Sequence, residues 1–217
     1  MTVINAMLFD LDGTLVDSAP DMVAALNHLR GTMGLAPLPV EEVGHAVTRG
    51  APGLLKAGMP ETDEETFESW RLRLHDHYLA SGFPLSSFYT GIAELLETLD
   101  EACKPWGIVT NKIESLTHAF IGTTALAGRA SSIVCGDTLE KSKPHPEPVL
   151  LACEQMGVAP AEVLFVGDDQ RDLEAGKAAG TQTAAVFYGY GSAGLNGPLL
   201  ASSIPVHQPS DLLDLLQ

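Results

Sequence analysis

The sequence predicts an α/β protein: a doubly wound parallel sheet interrupted, after its first strand, by a small inserted all-helical cap. Three observations predict it. Five short apolar, β-branched runs recur along the chain, amphipathic helical patterns separate them, and roughly ninety residues lie between the first run and the second. A crossover between parallel strands needs only about a dozen residues, so the long gap reads as an insertion.

The five runs cover residues 3–9, 106–110, 132–135, 163–166 and 183–187. Most are continuously apolar rather than alternating, as expected of strands covered on both faces. Between them, Ile92, Leu95, Leu96 and Leu99 share one helical face. Leu116, Phe120 and Leu126 form a second stripe, and Val149, Leu150, Cys153 and Met156 a third. In the gap, Ser18, Ala19, Pro20 and Asp21 read as a capping box with proline in the first turn. Met22, Leu26, Leu29 and Met33 continue that helix. Phe67, Trp70, Leu74 and Tyr78 mark a later one that Ser81-Gly-Phe-Pro84 breaks. The expected organisation is a catalytic core of residues 1–16 and 85–217 around a cap of residues 17–84. The glycine-rich stretch 188–197 lacks the GK[ST] of a phosphate loop and reads as a surface loop.

Composition removes several function classes. Twelve basic residues against 28 acidic ones give a net charge of −16 in 217 residues. Such a surface repels nucleic acid and anionic membrane, so an anionic ligand needs a local cluster of positive groups. No apolar run approaches the roughly 18 residues that span a bilayer, and mean hydropathy is +0.12. The first ten residues lack the basic start and long apolar region of a secretory signal. Cys103, Cys135 and Cys153 have no CxxC spacing and read as reduced thiols, small buried hydrophobes of a cytoplasmic protein.

The chemistry gathers at the strand ends. In open α/β sheets ligands bind beyond the carboxyl ends of the strands. The first strand ends at Asp10, the second at Thr110-Asn111-Lys112, and the fourth at Gly167-Asp168-Asp169. The third is followed by a loop carrying Ser142-Lys143-Pro144. Carboxylates, a hydroxyl and a lysine thus converge on one edge. A calcium loop counted from Asp10 fails, because Leu15 and Asp21 stand where glycine and glutamate are required. A solvated turn explains one pair of aspartates, not four strand ends with complementary chemistry.

The ordered set Asp10-Leu-Asp-Gly-Thr14, Thr110-Asn111, Lys143-Pro144 and Gly167-Asp-Asp-Gln-Arg-Asp172 resembles the haloacid dehalogenase superfamily. With its helical cap, the chain resembles the phosphoglycolate phosphatase-like branch. The runs PWGIVTNK (105–112), SKPHPEP (142–148) and VLFVGDDQRDLEAGKAAGTQTAAVFYGY (163–190) are similar to the N-acetylmuramic acid 6-phosphate phosphatases. The resemblance covers essentially the whole chain. It implies a Rossmann-like, haloacid dehalogenase-like core and Mg²⁺-dependent hydrolysis of a small phosphate ester through an aspartyl-phosphate.

That resemblance implies roles. Asp10 is nucleophile and metal ligand, Asp12 contributes its backbone carbonyl to the metal, and Asp168 a carboxylate. The Asp12 side chain protonates the leaving alcohol and then activates water. Lys143 supplies fixed positive charge, while Thr110 and the amide of Asn111 hold phosphoryl oxygens. Magnesium, a hard cation, suits such oxygen ligands. Asp172 orients metal-bound waters or Lys143. Asp169 joins it or is an exposed helix-start carboxylate, and Lys112 assists phosphate binding or is a solvated lysine. Asp12 separates phosphatases and phosphomutases from dehalogenases, which need no acid/base at that position. A phosphomutase of the same fold is the alternative enzyme. A non-catalytic regulatory binding protein would have lost Asp10, Asp12, Lys143 or Asp168.

Substrate choice belongs to the cap, whose closure over the site argues for a small ester. Arg49 or Thr48 meets a substrate carboxylate, or Arg49 is a surface residue on an interhelical turn; the N-acetylmuramic relatives carry a Ser-Gly-Gly type of sequence there. The candidate substrates, 2-phosphoglycolate and N-acetylmuramic acid 6-phosphate, both carry a carboxylate. The second would put the chain in carbohydrate metabolism, in peptidoglycan recycling. His75 and His77 point to different helix faces and make a poor metal pair. His145 reads as loop structure or a substrate-edge contact. Oligomeric state is not legible.

Overall fold

A computed structural model of the chain describes residues 3–216. It divides into two compact units, one of residues 1–16 and 88–217 and the other Asp17–Ser87.

The first unit is built on a six-stranded sheet. Its strands are β1 (Ala6–Phe9), β4 (Trp106–Val109), β5 (Ser132–Val134), β6 (Val163–Gly167), β7 (Gln182–Val186) and β8 (Ile204–Val206). They are ordered β5-β4-β1-β6-β7-β8, with every neighbouring pair parallel. β1 therefore lies between β4 and β6, with Met7 opposite both Trp106 and Leu164. All four residues of β1 are buried, because helices cover both faces of a parallel sheet. Ala6 and Leu8 pack with Val109, Val134, Phe165, and Val149 and Cys153 of helix α7 (Glu147–Met156). Burying a side chain the size of Phe165 contributes about 1.5–3 kcal/mol.

β8 is absent from the sequence reading, and its composition explains why. It has three residues, one of them Pro205, which an edge strand tolerates because it need not donate toward solvent. Some predicted stripes also overran their helices. Helix α6 is Glu114–Gly122, so buried Leu126 sits in the following turns, and Leu150 of α7 is exposed. Cys135 and Cys153 are buried as expected, but Cys103 is exposed on the turn after helix α5 (Ile92–Glu101). The chain leaves and re-enters this unit through β2 (Val16–Asp17) and β3 (Ser87–Phe88), which pair as a two-stranded ribbon.

The second unit is helical. It contains α1 (Ala19–Thr32), the short α2 (Val40–Val43), a 3-10 turn Gly44–Arg49, α3 (Gly50–Gly58) and α4 (Glu64–Ser81). α4 starts where the Asp63 carboxylate accepts from the Thr66 N–H at 2.8 Å, and ends at Gly82 with φ +70°. Trp70, Leu74 and Tyr78 form its buried stripe. At the start of α1 the expected capping box does not form: Ser18 makes no side-chain cap. The Asp21 carboxylate instead accepts from the N–H groups of Leu85 and Ser86 and from the Ser86 hydroxyl, at 3.0, 2.6 and 2.6 Å. Those three donors outcompete one local amide. Met33 closes α1 as an exposed C-cap rather than continuing the stripe. Among the described residues no helix is long and apolar enough to cross a membrane.

Candidate active site

Parallel pairing puts the carboxyl ends of β4, β1 and β6 side by side, and each is followed by a polar residue. Asp10 follows β1, its N–H donating to Val166 O at 2.9 Å. Thr110 follows β4, its N–H donating to Val134 O at 2.9 Å. Asp168 follows β6. Register rather than sequence distance makes these three neighbours.

Lys143 is the hub. Its ammonium lies 2.8 Å from Asp10 Oδ1, 2.7 Å from Asp172 Oδ1 and 2.8 Å from Val109 O, with its side chain only 3% exposed. The loop holding it is pinned by Asn111, which accepts from the Lys143 N–H at 3.0 Å and donates to the Lys143 carbonyl at 2.9 Å. The Asn111 side chain is thus committed to positioning Lys143.

Asp172 lies in the first turn of helix α8 (Gln170–Ala179). It completes a capping box with Asp169, accepting from the Asp169 N–H at 3.0 Å while its other oxygen meets Lys143. Asp169 is half-buried rather than exposed and accepts from Arg171 Nε at 2.7 Å. Burial would raise its pKa, but Arg171 outweighs burial and holds it below the usual range. Asp169 therefore starts a helix and holds an arginine.

Oxygens of Asp10, Asp168 and Asp172 all lie within 4.8 Å of one another, and all three residues are buried. Burial pushes the Asp10 carboxyl up to about 7; Lys143 opposes this, and Asp172 and Asp12 add to it. Burial, then Asp10 and Asp172, holds Asp168 well above its ordinary value. Lys143 would be lowered by burial, but the two carboxylates keep it above the ordinary lysine value. One ammonium against three packed carboxylates leaves negative charge uncompensated. The donors are hard oxygens in a buried pocket of charge, and they fit a hard divalent cation.

Two glycine positions let the chain close on Asp168. Gly13 has φ +88°, and a Cβ there would overlap the Asp168 carboxylate. A Cβ on Gly189 would collide with Gly13 O and Asp168. The adjacent Gly191 N–H donates to Asp168 Oδ2 at 2.8 Å, Thr14 Oγ1 donates to Asp168 Oδ1 at 3.2 Å, and Tyr188 Oη donates to Thr14 O at 3.0 Å. Residues 188–191, read from sequence as surface loop, therefore line the back of this cluster. The available signal was Gly189-Tyr190-Gly191, separated from a strand by two residues; nothing local says what a glycine will be pressed against.

Asp12 sits on the loop after β1 and forms an isolated bridge with Val16. Its carboxylate accepts from Lys112 Nζ at 2.9 and 3.3 Å. Lys112, with 7% side-chain exposure, is not a solvated lysine. Thr110 is buried, and its hydroxyl accepts from the Lys112 N–H at 3.1 Å. His145 is a loop residue, its Nδ1 accepting from the Glu147 N–H at 3.3 Å. Arg49 belongs to the helical unit, where it is exposed at the end of the 3-10 turn; Thr48 donates to His45 O at 3.2 Å.

The family model described as haloacid dehalogenase-like hydrolase matches residues 7–186. The chain is 40% identical over 214 residues to the N-acetylmuramic acid 6-phosphate phosphatase of Pseudomonas aeruginosa, covering 98% of this chain and 95% of that protein. It is 36% identical over 205 residues to a phosphoglycolate phosphatase of Xylella fastidiosa, covering 94% of this chain and 90% of that protein. A crystal structure of a predicted phosphoglycolate phosphatase from Haemophilus somnus 129pt matches with TM-score 0.86 and 28% identity over 100% of both chains. With a family match spanning most of its length and full-length relatives above one-third identity, the chain belongs to the haloacid dehalogenase-like hydrolases.

Proposed function

We propose that this chain is a Mg²⁺-dependent phosphomonoesterase acting on a small carboxylated phosphate ester, with N-acetylmuramic acid 6-phosphate as first substrate and 2-phosphoglycolate as second. One observation carries the reading: a buried lysine clamps Asp10, the residue after the central strand, inside a carboxylate cluster that calls for a cation. The full-length likeness to the Pseudomonas aeruginosa phosphatase supports the order of substrates.

Asp10, Asp12 (through its backbone carbonyl) and Asp168 would hold the metal, with Asp172 orienting Lys143. When bound, magnesium supplies charge neutralisation and a template for the phosphoryl group. In the first step an Asp10 carboxylate oxygen attacks phosphorus and the ester P–O bond breaks. Asp12 delivers its proton to the departing alkoxide. In the second step Asp12 takes a proton from water, the resulting hydroxide attacks the phosphorus, and the Asp10 carboxylate leaves. Lys143, Thr110 and the Asn111 N–H offset charge on the phosphoryl oxygens. The helical unit chooses the ester, with Arg49 as the candidate contact for its carboxylate. A cytoplasmic location and a role in peptidoglycan recycling complete the proposal.

The test is phosphate release from the two substrates and an aryl phosphate, with and without Mg²⁺, using D10N as control. Metal-dependent release that D10N abolishes supports the reading, and a preference for the muramic ester above about tenfold in kcat/KM, roughly 1.4 kcal/mol, supports the order of substrates. The reverse preference makes 2-phosphoglycolate the substrate. No Asp10-dependent release from any ester would leave the phosphomutase or binding alternatives.

A further inference from the structure

We infer that Lys112 is a positioning residue for the acid/base step: it holds the Asp12 carboxylate where it meets the leaving oxygen. The inference rests on the phosphatase reading above and deepens it.

Lysines on loops are commonly mobile and solvated. Lys112 is fastened on every side. Its N–H donates to Thr110 Oγ1 at 3.1 Å, and its carbonyl accepts from the Gly136 N–H at 2.9 Å and from Thr117 Oγ1 at 3.3 Å. Gly136 is pressed against Asn111 so closely that a Cβ would overlap the Asn111 carbonyl. The stem starts from a rigid point one residue beyond the Asn111 that pins Lys143, and its head reaches both oxygens of Asp12, at 2.9 and 3.3 Å.

The two lysines divide the carboxylates between them. Lys143 takes Asp10 and Asp172, and Lys112 takes Asp12. A carboxylate on a loop can adopt several rotamers, whereas one held through both oxygens has its direction set before substrate arrives. Proton transfer depends on hydrogen-bond reach between Asp12 and the oxygen it serves, so fixing that direction accelerates the proton transfers at Asp12, of which kcat/KM reads the first, and leaves phosphate binding alone.

Leaving-group dependence gives the test. An alkoxide needs a proton as it departs, but a nitrophenolate departs without one. Wild type, K112M and K112R are compared with Mg²⁺ on an alkyl monoester, glycerol phosphate, and on p-nitrophenyl phosphate, with thermal unfolding in parallel. Expected for K112M is a loss of about 30-fold or more in kcat/KM on the alkyl ester and less than about threefold on the aryl ester, part of the 10²–10⁴ that acid/base catalysis supplies. K112R recovers most of the alkyl loss, because a second cation can hold the same carboxylate. Equal losses on the two esters, a rise in KM alone, or unchanged rates would each overturn the inference. A wild type inactive on both esters would remove the phosphatase reading as well, so the two failures are told apart by the wild-type rate.

Discussion

The Gly191 N–H donates to Asp168 Oδ2 at 2.8 Å, tying the loop after β7 to the buried carboxylate after β6. The bond fixes which way the carboxylate faces, and the glycines around it leave no room for a side chain. A methyl group at Gly189 collides with both Asp168 and the Gly13 carbonyl. We expect G189A to destabilise the fold by about 1–3 kcal/mol, the usual cost of overpacking, and to weaken Mg²⁺ binding. Calorimetric titration with Mg²⁺ and denaturant unfolding measure the two effects, and wild-type affinity in G189A would show that the loop does not position Asp168.

Removing Lys143 should be far more damaging than removing a surface lysine. K143M leaves Asp10 and Asp172 buried without their cation, and breaking such a pair from one side costs about 3–5 kcal/mol. Urea unfolding without metal reads that loss directly. At the proposed metal site Mg²⁺ would add positive charge to the same cluster, so it should stabilise K143M by more than it stabilises the wild type. Equal gains from Mg²⁺ would mean that the lysine and the cation do not share the carboxylates.

In the helical unit Asp21 spans from α1 to the residues leading into β3, accepting from Leu85 and Ser86. D21A removes the acceptor of two amides and a hydroxyl, and each lost part-buried hydrogen bond costs about 0.5–1.5 kcal/mol. D21N keeps an acceptor oxygen and should lose less. Chemical denaturation of the two variants side by side checks the order, and equal stability of D21A and wild type would remove the account of why Ser18 does not form its capping box.

The His28 and His77 rings stack at 3.7 Å with an interplanar angle of 1°, beside Arg73 and Asp76. Burial first, then His28, depresses the His77 pKa below its ordinary 6.5. A depressed native value means that the unfolded chain binds the proton more readily. The contribution to stability is therefore full above about pH 6.5 and disappears as pH falls through the native value. Wild type should lose more stability between pH 7.5 and 5.5 than H77Q does. Parallel loss in the two proteins would show that the stacked pair is not a source of acid lability.

Much of the architecture was written locally. Continuous β-branched runs marked five strands, because a sheet covered on both faces has no polar face to alternate with. β8 escaped notice because three residues with a central proline carry no periodic signal. The residues after β1, β4 and β6 could be read as one edge because parallel strands end on the same side. By contrast, the capping-box pattern at Ser18 was overridden by Asp21, whose partners lie more than sixty residues away.

By itself the sequence determined which elements form and which polar residues stand at their ends: Asp10, Thr110, Lys143 and Asp168 each follow an apolar strand or its loop. These are short-range facts, set by side-chain type and spacing. Only the tertiary structure decided the partners. It assigned Lys143 to Asp10 and Asp172, gave Lys112 to Asp12, and pressed the 188–191 loop onto Asp168. Two of these pairings join groups 100 or more residues apart, Lys143 with Asp10 and Lys112 with Asp12. They arise because burying like charges at close range is costly, so the packed chain must bring a cation or hydrogen-bond donors to each buried carboxylate, and no local spacing encodes which groups those will be.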